Sequence, residues 1–322
     1  MHDSIVEFLA QHRIHEVECV IPDMTGIARG KILPKDLFLA SGEMRIPKSV
    51  LLNTVNGQQP DNGPYVGETD PDMVCRPDTA TIRVVPWAAE PVAVVIHDCH
   101  EFDGTPVELS PRSVLRRVVA LYAASGWRPV VAPEMEFYLV ARQQNPHEPL
   151  QPPLGRSGKP EAGRQSYSID AVNDFDPFFM ELSQFCEVHR LGVETLIHEA
   201  GAGQMEINFS HGDPMDLADR VFLFKRTVRE TALRHGIFAT FMAKPMAAQA
   251  PCLATSSPGC KPTSRRPCPC SRPTSTRTGA SPPTCRRPST CAGGWTTAPA
   301  ASACPNRGPN RAAWKTACPV WT

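Results

Sequence analysis

The chain has 322 residues, with 33 basic and 33 acidic side chains, 34 prolines and 12 cysteines. The length suggests two domains, and the neutral balance selects no charged partner. That balance hides two unlike pieces: residues 251–322 hold ten Lys/Arg and no Asp or Glu, leaving 23 of the basic and all 33 of the acidic groups in residues 1–250. Thirteen prolines, eleven threonines, eight serines and eight cysteines fill the last stretch, with only Leu253 and Val320 as branched aliphatics. Such a composition cannot offset its ordering entropy by apolar burial, so it reads as a disordered tail. No run of about 18 apolar residues would span a membrane. The N-terminus shows no basic region followed by an apolar stretch, so the expected location is cytoplasmic with reduced thiols.

Residues 14–39 alternate at Val17, Cys19 and Ile21, break at Pro22 to Gly26 and resume toward Ile32 and Leu33, which predicts a hairpin. Further strands are expected at 49–55, 81–85 and 91–96, separated by turns at 60–72 and 76–79. The first boundary falls in Asp103 to Pro106. A helix follows, with Ser110 as N-cap, Pro111 at its first position, and an apolar stripe of Val114, Leu115, Val118, Val119 and Tyr122 ending before Gly126. Then come a strand at 129–140, a polar loop at 143–165, a helix near 176–190, strands at 193–199 and 204–209, a helix from Asp213 to Gly236, and a strand at 238–242. This mixture places helices on a sheet, an α+β arrangement. The expected division is 1–105, 106–247 and a tail at 248–322.

Two motifs could carry chemistry. In Pro133-Glu-Met-Glu-Phe137, strand alternation puts Glu134 and Glu136 on one face. If that face is buried, the two carboxylates need a cation or hydrogen bonds; if it is exposed, they are merely solvated. The second motif runs from His198 and Glu199 through a glycine turn to Glu206 and Asn208. Four glutamates in two strand contexts favour Mg²⁺ or Mn²⁺, hard cations that take carboxylate and phosphate oxygens. The bland alternative is that Gln204, Glu206 and Asn208 form the polar face of an edge strand. There is no Walker loop, HExxH, nucleophile elbow or paired CxxC, and the single Cys268-Pro-Cys270 gives zinc no ligand set.

Taken together, these residues resemble the glutamine synthetase family, within it the γ-glutamylpolyamine (γ-glutamylputrescine) synthetase branch. The resemblance covers about residues 14–247 and rests on Asp23 to Lys31, Thr69 to Met73, Pro86-Trp87, Pro133 to Phe137, His198-Glu199 through Phe209, and Phe241 to Met246. It implies an N-terminal β-grasp domain followed by a catalytic domain with a curved antiparallel sheet, and active sites between neighbouring subunits of a ring. By position it implies Glu136, Glu199 and Glu206 at a first metal and Glu134 at a second. Glu194 would stand on the nucleotide side, with His198 beside it. The implied chemistry is an ATP-dependent ligation in which the glutamate γ-carboxylate is phosphorylated and an amine, such as a polyamine, displaces phosphate. An ammonia-using member is the alternative substrate reading, and a non-catalytic metal- or nucleotide-binding homologue is the alternative class.

After Met246 the family pattern stops. No histidine follows His235 and no glutamate follows Glu230, so the family's His-x-His-Gln and Glu-Asn-Arg elements are missing. The second metal keeps one ligand of the family's set, and impaired or absent activity is expected. The missing part also counts against ring assembly. The tail's Pro/Arg/Ser/Thr/Ala/Cys bias suggests a GC-rich gene read out of frame. Ala313 to Val320 can be back-translated so that a shifted frame spells Gly-Leu-Glu-Asn-Arg-Leu-Pro-Gly. A nucleic-acid role for the basic tail is disfavoured, because its aromatics are only Trp295, Trp314 and Trp321. The family's amine-site aspartate is not evident: Asn56-Gly57 stands where Asp-Gly is expected, and Asp61 lies nearby.

Overall fold

The hairpin expected at 14–39 forms as β1 (Glu16–Pro22) and β2 (Ala28–Pro34), turned around a single buried carboxylate. Asp23 Oδ1 accepts the backbone N–H groups of Thr25 and Ile27, both at 2.9 Å, and Oδ2 accepts Arg29 Nε at 2.9 Å. Gly26 sits in the left-handed region at φ 72°, where a side chain would be strained. The structure, a computed structural model, describes residues 3–58, 63–161 and 164–246. The tail at 248–322 and Asp61 lie outside the described residues.

Around this hairpin stand α1 (Asp3–Gln11), α2 (Lys35–Ala40), β3 (Met44–Pro47), α3 (Gly63–Val66), β4 (Asp72–Pro77), β5 (Arg83–Val84) and β6 (Val92–His100). The strands pair in the order β2-β1-β6-β4-β3, with β5 on β6. β1 and β6 are parallel and the other pairs antiparallel. β6 reads as a near-continuous apolar run because both its faces are covered. Ala93 and Val95 join Val17, Cys19 and Ile21 under α1 and α2, whereas Val94 and Ile96 join Val20 in a second core.

That second core belongs to the elements that follow: α4 (Pro111–Ala124), β7 (Glu134–Ala141), α5 (Ile169–Asn173), α6 (Asp176–Val188), β8 (Val193–His198), β9 (Gln204–Phe209), α7 (Pro214–Arg234) and β10 (Ile237–Thr240). Their sheet, β10-β7-β9-β8, is antiparallel throughout. One face buries Phe137, Leu139, Met205, Ile207 and Phe209 against Phe178 and Leu182 of α6 and Phe224 and Val228 of α7. Period-2 alternation then sends the polar residues of β7 and β9 to the other face. α7 starts as its sequence predicts: Asp213 caps it by accepting Met215 N at 2.9 Å, with Pro214 in the first turn.

Several expectations change. The strand expected at 49–55 is a 3₁₀ turn, Lys48–Leu52. Asp70 holds it by accepting Ser49 N at 2.9 Å and Ser49 Oγ at 2.6 Å, so the backbone donors serve a side chain rather than a ladder. The strand expected at 81–85 shrinks to Arg83–Val84, because Thr79–Thr81 forms another 3₁₀ turn under the Asp78 cap. The strand expected from 129 begins at Glu134; Val131 forms only an isolated bridge to Gly212. β4, α1 and α2 stand where no regular element was expected. The N-terminal sheet and the second sheet lie in one compact unit, Met1–Ser256. No described helix is long and apolar enough to cross a membrane.

Candidate active site

β7 and β9 pair so that Glu136 lies opposite Glu206, Glu134 opposite Asn208 and Tyr138 opposite Gln204. Directly opposed side chains of an antiparallel pair share a face and approach closely. β8 adds Glu199 just past its end, where the Glu199 N–H donates to the Gln204 carbonyl at 2.8 Å. Glu134, Glu136, Glu199 and Glu206 therefore converge on one face, the face turned away from α6 and α7.

Gln204 organises this face. It is fully buried; its Oε1 accepts Gly201 N at 2.8 Å and its Nε2 donates to Glu136 Oε2 at 2.8 Å. One amide thus ties the turn to a carboxylate on another strand. Gly203 makes that turn possible: its φ is 68°, and a Cβ there would lie 2.5 Å from the Leu139 carbonyl oxygen, too close for any other residue.

Electrostatics follow from the crowding. Burial, followed by the charges of Glu199, Glu134 and Glu136, pushes Glu206 from 4.5 up to about 7, although Asn208 donates to it. Glu136 is raised by burial, against its Gln204 hydrogen bond, with Glu199 and Glu134 adding to the rise. Burial, then the charges of Glu136 and Glu199, lift Tyr138 to about 12. The Tyr138 hydroxyl and Asn208 Oδ1 are buried without a hydrogen-bond partner among the described residues. This donor set fits a hard divalent cation: carboxylate oxygens forced toward protonation, with an amide oxygen left unsatisfied beside them. Among the described residues no three His, Cys, Asp or Glu side chains are already gathered to hold a metal ion. The fold supplies a shared acidic face rather than a finished coordination sphere.

The other two expected site residues stand apart. Glu194 lies in the β8 bulge between Val193 and Thr195, exposed, and accepts Ser210 Oγ at 2.9 Å. His198 is fully buried opposite Met205, on the face away from the carboxylates. Its Nδ1 donates to the Glu199 carbonyl at 2.7 Å, and its Nε2 lies 2.8 Å from Glu161 Oε1. That approach is an ion pair by distance, although the two atoms are not aligned as a hydrogen bond. Burial opposes charge on His198, but Glu161 beside it raises its pKa above the ordinary value. Glu161 also accepts Gly203 N, so this pair clamps the outside of the turn. Sequence reasoning missed Gln204 as an organiser and Glu161 altogether. Alternation alone could have placed Gln204 beside Glu136, but nothing local marks Glu161 within its loop.

Residues 108–252 match the family model of the glutamine synthetase catalytic domain. The chain is 33% identical over 238 residues to γ-glutamylputrescine synthetase PuuA of Escherichia coli (strain K12), covering 71% of this chain and 49% of that protein. It is 29% identical over 250 residues to a glutamate–isopropylamine ligase of a Pseudomonas species, covering 76% and 54%. Among solved structures, a novel glutamine synthase homolog superimposes with a TM-score of 0.58 at 26% identity, covering 70% of this chain and 50% of that one. Apo GmaS without ligand reaches a TM-score of 0.62 at 24% identity, covering 78% and 55%, a likeness of fold alone. The chain belongs to the glutamine synthetase family, with a γ-glutamylputrescine synthetase-like branch among its relatives. It spans about half the length of these relatives.

Proposed function

We propose that this chain derives from an ATP-dependent carboxylate–amine ligase and retains the acidic half of its metal site without full catalytic competence. The observation that carries the reading is Glu136 directly opposite Glu206, with Glu134 and Glu199 close enough to raise both. Glu136, Glu199 and Glu206 would hold one Mg²⁺ or Mn²⁺, and Glu134 would contribute to a second. A cation there supplies charge neutralisation for a phosphoryl group passing from ATP to the γ-carboxylate of glutamate. The chain's own part is to fix the ligands. Gln204 holds Glu136 in place, Gly203 lets the turn pack against β7, and the buried His198–Glu161 pair braces the turn from behind. Glu194 is the nucleotide-side candidate, at the exposed end of β8.

The strand order β2-β1-β6-β4-β3, with its parallel β1·β6 pair, supports a β-grasp reading of residues 1–105. Residues 106–247 would form the first half of the catalytic domain, and a polyamine is the proposed amine, ammonia the alternative. Absent the family's later ligands and arginines, turnover should fall by orders of magnitude.

Calorimetry with Mg²⁺ and phosphate release with glutamate, ATP and a panel of amines test both halves of the proposal. Cation binding with little or no turnover is expected. Turnover at the level of an intact ligase would overturn the loss of competence; absence of any cation binding would overturn the metal site. The pH dependence has a definite sign. The folded state holds the Glu206 proton to about pH 7, whereas an ordinary carboxylate releases it near 4.5. Metal-free stability should therefore fall as pH rises through that window. Glu206→Gln should flatten the dependence, and Mg²⁺ should raise the melting temperature of the unaltered chain more at pH 8 than at pH 6.

A further inference from the structure

β4 and β6 run antiparallel with Cys75 directly opposite Cys99. Opposed residues in such a pair have Cα atoms about 4.5–5.5 Å apart, within the span of about 4.4–6.8 Å that a disulfide bridges. Both cysteines are buried and free. Their thiols interact: Cys75 keeps its proton and donates toward Cys99, which lowers the Cys99 pKa despite burial. The nearby Ser110 hydroxyl also favours the Cys99 thiolate. Ser110 stands at the N-cap of α4 but makes no side-chain cap there. Cys19 and Cys186 have no such help, and burial pushes each up to about 12.

Access also distinguishes Cys99. It lines a cavity of about 890 Å³ between the end of β6, the 101–109 segment and the first turns of α4, whose walls mix the cations Lys48, Arg116 and Arg117 with the carboxylates of Asp98, Glu101 and Glu108. Cys19, Cys75 and Cys186 do not line it. A thiol set directly opposite a second thiol and bordering a cavity is a candidate reactive cysteine rather than an inert buried one.

We propose that Cys75 and Cys99 form a peroxide-reactive dithiol, with Cys99 as the attacking sulfur and Cys75 as the resolving one, oxidised to a cross-strand disulfide between β4 and β6. In the first step the Cys99 thiolate attacks one oxygen of a hydroperoxide, the O–O bond breaks, and Cys99 becomes a sulfenic acid as hydroxide or alkoxide leaves. In the second, the Cys75 sulfur displaces the sulfenic oxygen, which departs as water with the Cys75 proton. The two thiols lose two electrons in all, and the peroxide gains them. This modification site is independent of the carboxylate face.

The test treats the full chain with hydrogen peroxide, alkylates remaining thiols in denaturant and maps the peptides. A Cys75–Cys99 linked peptide, lighter by about 2 Da than the two reduced peptides together, is the expected result. It should appear at least about tenfold faster than any modification of Cys19 or Cys186. In Cys75→Ser, and in Cys75→Ala should the first variant not fold, Cys99 should stop at a sulfenic acid that a 1,3-dione traps. Cys99 alkylated as completely as Cys186 after peroxide, or bridged only to cysteines of the tail, would overturn the proposal.

Discussion

α7 and α4 are both amphipathic in sequence, yet they are held by different forces. α7 buries most of its apolar residues, Leu233 in its last turn excepted: Phe224 is 0% exposed and packs edge-on against Phe137 and Phe209, with ring centroids 6.2 and 5.1 Å away. α4 leaves its apolar stripe open. Val118 is 43% exposed and Leu121 70%, and Trp127 beyond the helix end is 68% exposed. α4 is anchored instead by its first turn, where buried Arg112 donates from Nε and Nη2 to Asp219 at 2.9 and 2.8 Å and from Nη2 to Asp78 at 2.7 Å, and also reaches Asp98. Arg116 pairs with Asp98 at 2.6 Å. Periodicity therefore says that a helix forms, but not that its stripe is covered.

Substitutions in each helix probe this difference directly. Phe224→Ala should cost about 3–5 kcal/mol in urea unfolding, the usual cost of an aromatic-sized cavity in a packed core. Arg112→Ala should cost about 3 kcal/mol, because it leaves three carboxylates from separate elements without their shared cation. Its loss should also raise hydrogen exchange in the first turn of α4 ahead of α7. Gly203→Ala should cost about 1–3 kcal/mol through strain at positive φ and the clash with Leu139. It should weaken Mg²⁺ binding in the same variant, since the turn carries Gln204. Leu121→Lys should change stability by less than about 0.5 kcal/mol and improve solubility. If Leu121→Lys unfolds the protein, the α4 stripe is covered and the comparison fails.

The sequence made the long periodic elements legible: the 14–39 hairpin, α4, α6, α7 and the strands bearing the glutamates all form near their expected positions. β4 was hidden because its six residues are flanked by Asp and Pro, which also signal turns. The 49–55 segment misled because its apolar run serves a 3₁₀ turn whose partner, Asp70, lies 21 residues away. The site shows the same division. The shared face of Glu134, Glu136 and Glu206 follows from alternation, a local rule. The Gln204–Glu136 bond spans 68 residues and the Gly203–Glu161 bond 42, and no local pattern announces contacts that only the folded sheet brings together.

Strands β1 and β6 have no spare face: Val17, Ala93 and Val95 serve one core, while Val20, Val94 and Ile96 serve the other. A protease that nicked the turn from Asp103 to Pro106 would sever the chain without parting it. The two fragments should stay associated through the common wall, elute together from a sizing column, and separate only in denaturant.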